Sequence, residues 1–224
     1  MTPQGMHLLY LLLAWLAYFL IHSILAGLWL KRWVASRFPA FMPWYRLAFN
    51  LVAVVLLVVP LWLTFTHNGP YIIEWRGLFA WLSYGLTAVA LVLFFLPTRY
   101  YDGGEFLGLR QLRDNERAVQ DQENFQLSPL HRYVRHPWYF LSLVLVWTRD
   151  MDSNMLLSAI MITLYFVIGS RLEERKLLLY HGSAYAEYRH HVAGLIPLPW
   201  KILSSARAQQ LLASARQHKQ RPDQ

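Results

Sequence analysis

The chain contains no cysteine. Disulfides, thiolate metal sites and a cysteine nucleophile are thereby excluded, and the redox compartment is left open. Charge is scarce: 15% of the 224 residues are charged, against 56% hydrophobic and 16% aromatic. A water-soluble domain of this size carries more charge and breaks its apolar residues into shorter runs. Ahead of the first apolar run, Met1 to His7 includes neither Lys nor Arg, and no small-residue cleavage site follows it. That run therefore reads as a retained helix and not a cleaved signal peptide. Convincing metal-ligand spacing is also lacking. His190 and His191 are adjacent, and adjacent side chains on a helix point apart, so no metal is expected. There are no internal repeats.

What the chain does have is long apolar runs. Residues 8–30, 47–66 and 77–97 are each close to the roughly 20 residues that cross a hydrocarbon core. Two shorter runs follow, at 137–148 and 155–170. The expected fold is an all-α polytopic membrane helix bundle of about five transmembrane helices, the last two a short hairpin, with a cytoplasmic C-terminal region. The net charge of +8 is distributed one-sidedly. Lys31, Arg32, Arg37 and Arg46 lie between the first two runs. Arg99, Arg110, Arg113, Arg117, Arg132 and Arg135 lie between the third and fourth, while the opposite loops hold only Arg76 and Arg149. This asymmetry predicts a multi-pass membrane protein with its N-terminus out, its C-terminus inside and its basic segments cytoplasmic. The basic segments read as topology determinants and lipid-headgroup contacts, not as nucleic-acid surfaces.

Four regions follow from these signals. Residues 1–97 form an N-terminal three-helix membrane region whose third helix ends near Pro97, with a turn at His67-Asn68-Gly69-Pro70. Residues 98–135 form a cytoplasmic loop, broken at Gly103-Gly104 and strongly polar from 113 to 126. Residues 136–200 form the hairpin and a C-terminal ligand-binding region, and 201–224 a basic flexible tail. His136 precedes Pro137, which disfavours the α region at His136, while Pro137 suits the first helical position. A helix therefore begins there, with an apolar part of only about 18 Å of rise. Gly182 is expected to end the long return helix. Ser183 then caps a final short helix holding Tyr185, Tyr188 and Arg189.

Two polar clusters bound the hairpin. Arg135 and His136 sit at the start of one helix, where free backbone N–H groups and the positive end of the dipole favour an anion. Glu173 and Glu174 sit at the end of the other and can hold a cation. A hairpin makes these ends neighbours, and a ligand with a carboxylate, an ammonium and a second cationic centre fits both. S-adenosylmethionine is such a ligand. The plainer alternative makes Arg135 and His136 interface anchors, and Glu173 and Glu174 helix-surface partners of Arg171 and Arg175.

The pattern Arg135-His136-Pro137-x-Tyr139, then Glu173-Glu174-Arg175-x-Leu177, then Gly182-x-x-Tyr185-x-x-Tyr188-Arg189 resembles the C-terminal signature of the isoprenylcysteine carboxyl methyltransferase and phospholipid methyltransferase superfamily. Within it the chain is most similar to the bacterial methanethiol S-methyltransferase branch, with NnrU-like proteins further off. His22-Ser23, the run from Phe106 to Gln111 and the ending Leu195-Ile196-Pro197-Leu198-Pro199-Trp200 share in that likeness. The resemblance implies an integral membrane enzyme that uses S-adenosylmethionine. Arg135, His136, Pro137, Tyr139, Glu173 and Glu174 would hold the cofactor, with Tyr185 and Tyr188 closing over it. Arg135 and His136 are the catalytic candidates, His136 as a base if one is used. The acceptor would be a small or lipophilic molecule, first of all a thiol. A prenylcysteine carboxylate or a phospholipid amine are the alternatives, and a non-enzymatic NnrU-like accessory role is a third. The chain departs from the superfamily at Leu141, where glycine is usual, and in the turn 148–154, which lacks the Gly-His of the thiol branch.

Four further polar residues are candidates for lining an acceptor path. His22 and Asn50 lie at membrane depth, where polar side chains face the bundle interior, and their alternative role is interhelical hydrogen bonding. Arg110 and Gln111 follow Gly108-Leu109, and their alternative is an ordinary entry from loop to helix.

Overall fold

The computed structural model describes residues 2–66, 69–95, 103–119 and 126–219. Its regular structure is helical: α1 Pro3–Ala26, α2 Leu28–Arg37, α3 Met42–Thr66, α4 Leu78–Phe95, the short α5 Gly103–Leu107 and α6 Leu109–Arg113, α7 Pro137–Trp147, α8 Ser153–His191 and α9 Ser205–Lys219. Among the described residues, extended pairing is confined to two isolated bridges, Ile73 with Met151 and Val134 with Ala193. Among the described residues, four helices are long and apolar enough to cross a membrane: α1 with 24 residues, Pro39–Thr66 (containing α3) with 28, α4 with 18 and α8 with 39. At 11 residues α7 is shorter than these. Large apolar side chains such as Leu51, Val54, Val58, Trp62, Trp81 and Val92 lie on the outside of the helices, as they do when the solvent is lipid. The turn residues His67 and Asn68, the expected helix end at Pro97, and Arg99 fall outside the described residues.

The chain divides into two compact units, to both of which α4 and α8 contribute. In the first, Leu11 and Trp15 of α1 pack with Met161 of α8. Trp15 Nε1 donates to Ser158 Oγ at 2.9 Å, and Thr64 Oγ1 lies 2.7 Å from the same hydroxyl. Hydrocarbon provides no water for stray polar groups, so three side chains from three helices satisfy one another. The α5–α6 pair docks on the start of α3 through Gly108. Its φ is +90°, and a Cβ there would lie 2.7 Å from the Leu47 backbone nitrogen. Only glycine meets both conditions.

The second unit gathers α7, the polar end of α8, the segment 126–136 and α9. His136 is the non-helical residue ahead of α7 (φ −120°, ψ 71°) and Pro137 its first helical one, as the His-Pro sequence predicts. Inside α8, Gly182 has φ 50° and ψ −127° and kinks the helix where the sequence suggests an end. The tail differs from expectation. Residues 205–219 form α9, whose Ala208 and Leu211 pack with Tyr185, Tyr188, Val192 and Leu203 in the core of this unit. Ala208, Leu211 and Ala215, all buried, recur at helical spacing. The stripe is easily overlooked because two of its three members are alanines in a polar, basic stretch.

Candidate functional site

The entry to α7 is anchored by the residues that follow α8. The backbone N–H of Arg135 donates to the Ala193 carbonyl at 2.8 Å and that of His136 to the Gly194 carbonyl at 3.2 Å. Arg132 Nε donates to the Leu203 carbonyl at 2.8 Å, and the Leu203 N–H returns a bond to the Arg132 carbonyl at 2.9 Å. Tyr188 Oη donates to the His131 carbonyl at 2.8 Å. Hydrogen bonds of 2.8 to 3.2 Å thus hold both sides of the Arg-His-Pro segment.

Around that anchor the two charged clusters meet. Arg135 Nε donates to Glu174 Oε1 at 2.8 Å. His136 Nε2 lies 3.1 Å from the same oxygen, and His136 Nδ1 lies 3.4 Å from Glu173 Oε2. Tyr139 Oη donates to Glu173 Oε2 at 3.3 Å. The His136 ring stacks on Tyr139 with centroids 5.3 Å apart and planes 8° from parallel, and Tyr139 stacks on Phe166 at 4.6 Å and 2°. Arg135 and His136 thus face the protein's own carboxylates. The two glutamates are not equivalent: the Glu174 side chain is 11% exposed and held by three close donors, whereas Glu173 is 40% exposed and held by two longer contacts.

Burial on its own would lower the pKa of His136. Hydrogen bonds to Glu173 and Glu174 and the nearby negative charges outweigh it, so the pKa is raised above the usual 6.5. With a carboxylate at each ring nitrogen, the imidazolium is the form that satisfies both as a donor. His131 is the opposite case. Burial first, then the charge of His136, lower its pKa to about 4 against a partial opposing pull from Glu173. Geometry agrees, because the Ser128 N–H donates to His131 Nδ1 at 3.2 Å, which requires an unprotonated nitrogen.

Arg135, His136, Tyr139, Glu173 and Glu174 are therefore brought together, with Pro137 starting the helix beside them. Tyr185 and Tyr188 are placed differently from a covering lid: both are buried in the core under α9, 1% and 2% exposed. The remaining candidates lie in the first unit. Asn50 Nδ2 donates to the carbonyls of Phe106 and Leu107 at 3.1 and 3.2 Å, capping the end of α5. Arg110 pairs with Glu105 at 3.0 Å, and Gln111 Nε2 donates to the Glu105 carbonyl at 3.2 Å. Gln111 Oε1 is buried without a hydrogen bond. His22 packs near the rings of Tyr18 and Phe49, whose centroids are 5.7 and 5.1 Å away. Among the described residues no group of His, Asp and Glu is arranged to hold a metal. Phe166, Gly194 and the carbonyls of 192–194 are site components that motif reading misses. Phe166 had one signal, since it lies two helical turns before Glu173 and so on the same face.

Sequence comparison shows several similar proteins. The chain is 31% identical over 188 residues to methanethiol S-methyltransferase of Pseudomonas deceptionensis, covering 79% of this chain and 67% of that protein. It is 31% identical over 198 residues to methanethiol S-methyltransferase of Mycobacterium tuberculosis, covering 80% and 73%. To methanethiol S-methyltransferase 2 of Bradyrhizobium diazoefficiens it is 29% identical over 178 residues, covering 79% and 68%. No family model and no solved structure matches the chain.

Proposed function

We propose a function from the premise that the chain belongs to the methanethiol S-methyltransferase-like family of membrane proteins. In our reading it is a methyltransferase that draws its methyl group from S-adenosylmethionine and delivers it to a small thiol. The observation that carries this reading is the His136 imidazole between Glu173 and Glu174, with Glu173 left half exposed. The donor set fits the cofactor at its cationic end. Glu173 is a carboxylate with solvent access and comparatively long protein contacts, so it has capacity for an ammonium or sulfonium.

When bound, the cofactor supplies an electrophilic methyl group on a sulfonium. The protein's share is to bind, orient and exclude water. Glu173 offers the charge, and Tyr139 and His136 aim its carboxylate. The ring stack through Phe166 keeps those two side chains from turning. His136 acts in this reading as a charged donor. A base role would require it first to leave a glutamate, so the thiol arrives as thiolate or loses its proton to water. The lysine and arginine distribution supports placing the basic segments, and with them this site, on the cytoplasmic side of the bacterial inner membrane. The hairpin of α7 and α8, within residues 136–200, forms the cofactor-binding region, with α7 as a fifth, shallow membrane element.

Titration calorimetry with S-adenosylhomocysteine on the intact protein in nanodiscs tests the reading. Saturable binding is expected, weakened by Glu173→Gln and by His136→Ala. Absence of binding to the wild-type protein would overturn it.

A further inference from the structure

Arg135 is engaged almost entirely by the protein's own atoms. Nε and Nη2 lie 2.8 and 2.7 Å from Glu174 Oε1. Nη1 donates to the Arg189 carbonyl at 3.0 Å and also to the Val192 carbonyl. The side chain is 12% exposed, and most of a guanidinium's N–H donors are thereby committed. Behind it is Gly194, where a Cβ would lie 3.2 Å from Arg135 Nη2 and 3.9 Å from Glu174 Oε1. Gly194 is not among the glycines of positive φ, so what the position requires is space and not an unusual backbone. The Glu174 oxygen that Arg135 grips is the one facing His136 Nε2 at 3.1 Å.

We propose that Arg135 is a positioning residue and not a ligand-binding one: seated against Gly194, it fixes Glu174, and through Glu174 it holds the His136–Tyr139–Phe166 ring stack beside Glu173. The proposal rests on the reading that this cluster serves methyl transfer, and it assigns to a glycine without chemistry of its own a part in the reaction. Lysine is a poor replacement at 135. It keeps the charge but has no planar fork to bridge a carboxylate and two carbonyls. Alanine at 194 alters no charge, and the nearest atom its Cβ meets is the guanidinium Nη2 at 3.2 Å. Both changes loosen the same grip, so their effects should not add.

His136 reports on that grip. The groups facing it are Glu173 and Glu174 from α8, Tyr139 from its own helix, the neighbouring Arg135, and His131 from the turn before it. If the guanidinium retreats, Glu174 is less compensated and the imidazolium is favoured. The experiment uses full-length protein in nanodiscs with isotope-labelled histidine, the His136 signal being assigned by its loss in His136→Gln. Arg135→Lys, Gly194→Ala and the double variant are compared by His136 titration midpoint and by kcat and KM for methylation of methanethiol.

We expect Gly194→Ala to raise the midpoint by about half a pH unit and lower kcat about tenfold. KM for the methyl donor should stay near its wild-type value, and the double variant should be no worse than Arg135→Lys alone. The proposal is overturned if Gly194→Ala leaves the midpoint unmoved, or if Arg135→Lys raises donor KM while kcat and midpoint hold. The titration needs no ligand. A shifted midpoint in a protein that methylates no thiol would uphold the positioning role and sink the proposed activity. Should Arg135→Lys fail to fold, Gly194→Ala alone still decides.

Discussion

Replacing either of two adjacent glutamates by glutamine should harm the protein in different ways. Glu174→Gln removes the carboxylate that Arg135 and His136 share, and those side chains are 12% and 5% exposed. Removing one partner of a buried ion pair costs about 3–5 kcal/mol. Arg135 keeps the Arg189 and Val192 carbonyls, which places the cost near the lower end. At about 2–4 °C per kcal/mol for a chain of this size, the melting temperature should drop roughly 6–12 °C. Glu173→Gln removes a carboxylate that is 40% exposed, where an ion pair contributes about 0–1 kcal/mol. Its Tm loss should stay below about 4 °C. The charge of Glu173 is instead expected in binding. Losing a charge-assisted hydrogen bond to a cationic ligand costs about 1.5–3 kcal/mol, roughly a 10- to 150-fold rise in Kd. Thermal unfolding in nanodiscs and calorimetry with S-adenosylhomocysteine separate the two. Equal Tm losses, or wild-type affinity in Glu173→Gln, would refute the division of labour.

The other predictions concern pH and packing. The folded pKa of His136 is raised, so its contribution to stability is complete below about 6.5 and fades as pH rises through the folded value. Tm should therefore decline on the alkaline side, and that decline should flatten in His136→Gln. His131, lowered to about 4, has the reverse sign. Between about 6.5 and 4 the unfolded chain binds the extra proton, so stability falls as pH falls, and His131→Asn should reduce that slope. Gly108→Ala forces a Cβ to 2.7 Å from the Leu47 nitrogen at φ +90°. It should cost at least about 2 kcal/mol, visible as a lower Tm. Leu211→Ala, at a side chain 2% exposed under Tyr185 and Tyr188, should cost about 2–5 kcal/mol; an unchanged Tm would show α9 to be undocked.

Legibility in the sequence followed the range of the interaction concerned. The start of α7 at His136-Pro137 and the break at Gly182 are local backbone effects, and the order of residues displays them. The three long apolar runs announce α1, α3 and α4 because hydrocarbon thickness is a property of the bilayer and not of the tertiary fold, whereas the shorter run 155–170 marks only part of the 39-residue α8. That Arg135 and Glu174 take each other as partners is a tertiary fact. Their charges are visible in the sequence, but the same charges equally suit a waiting ligand. The Tyr185 and Tyr188 pair shows the same limit: tyrosines near a charged cluster resemble a lid, and only the packing of α9 shows them to be core. Asn50 is ambiguous in the sequence for a related reason, since its bonds go to carbonyls 56 and 57 residues away.

Product analysis tests whether the protein transfers a methyl group from S-adenosylmethionine to a small thiol. Purified protein in nanodiscs is supplied with the cofactor radiolabelled at its methyl group, together with methanethiol, a prenylcysteine or a phospholipid extract in parallel. We predict labelled dimethyl sulfide from the thiol, reduced in Glu173→Gln at limiting cofactor, with little label in the other two. Label appearing in the prenylcysteine or the lipid and not in the thiol, or in none of the three while S-adenosylhomocysteine binds, would contradict it.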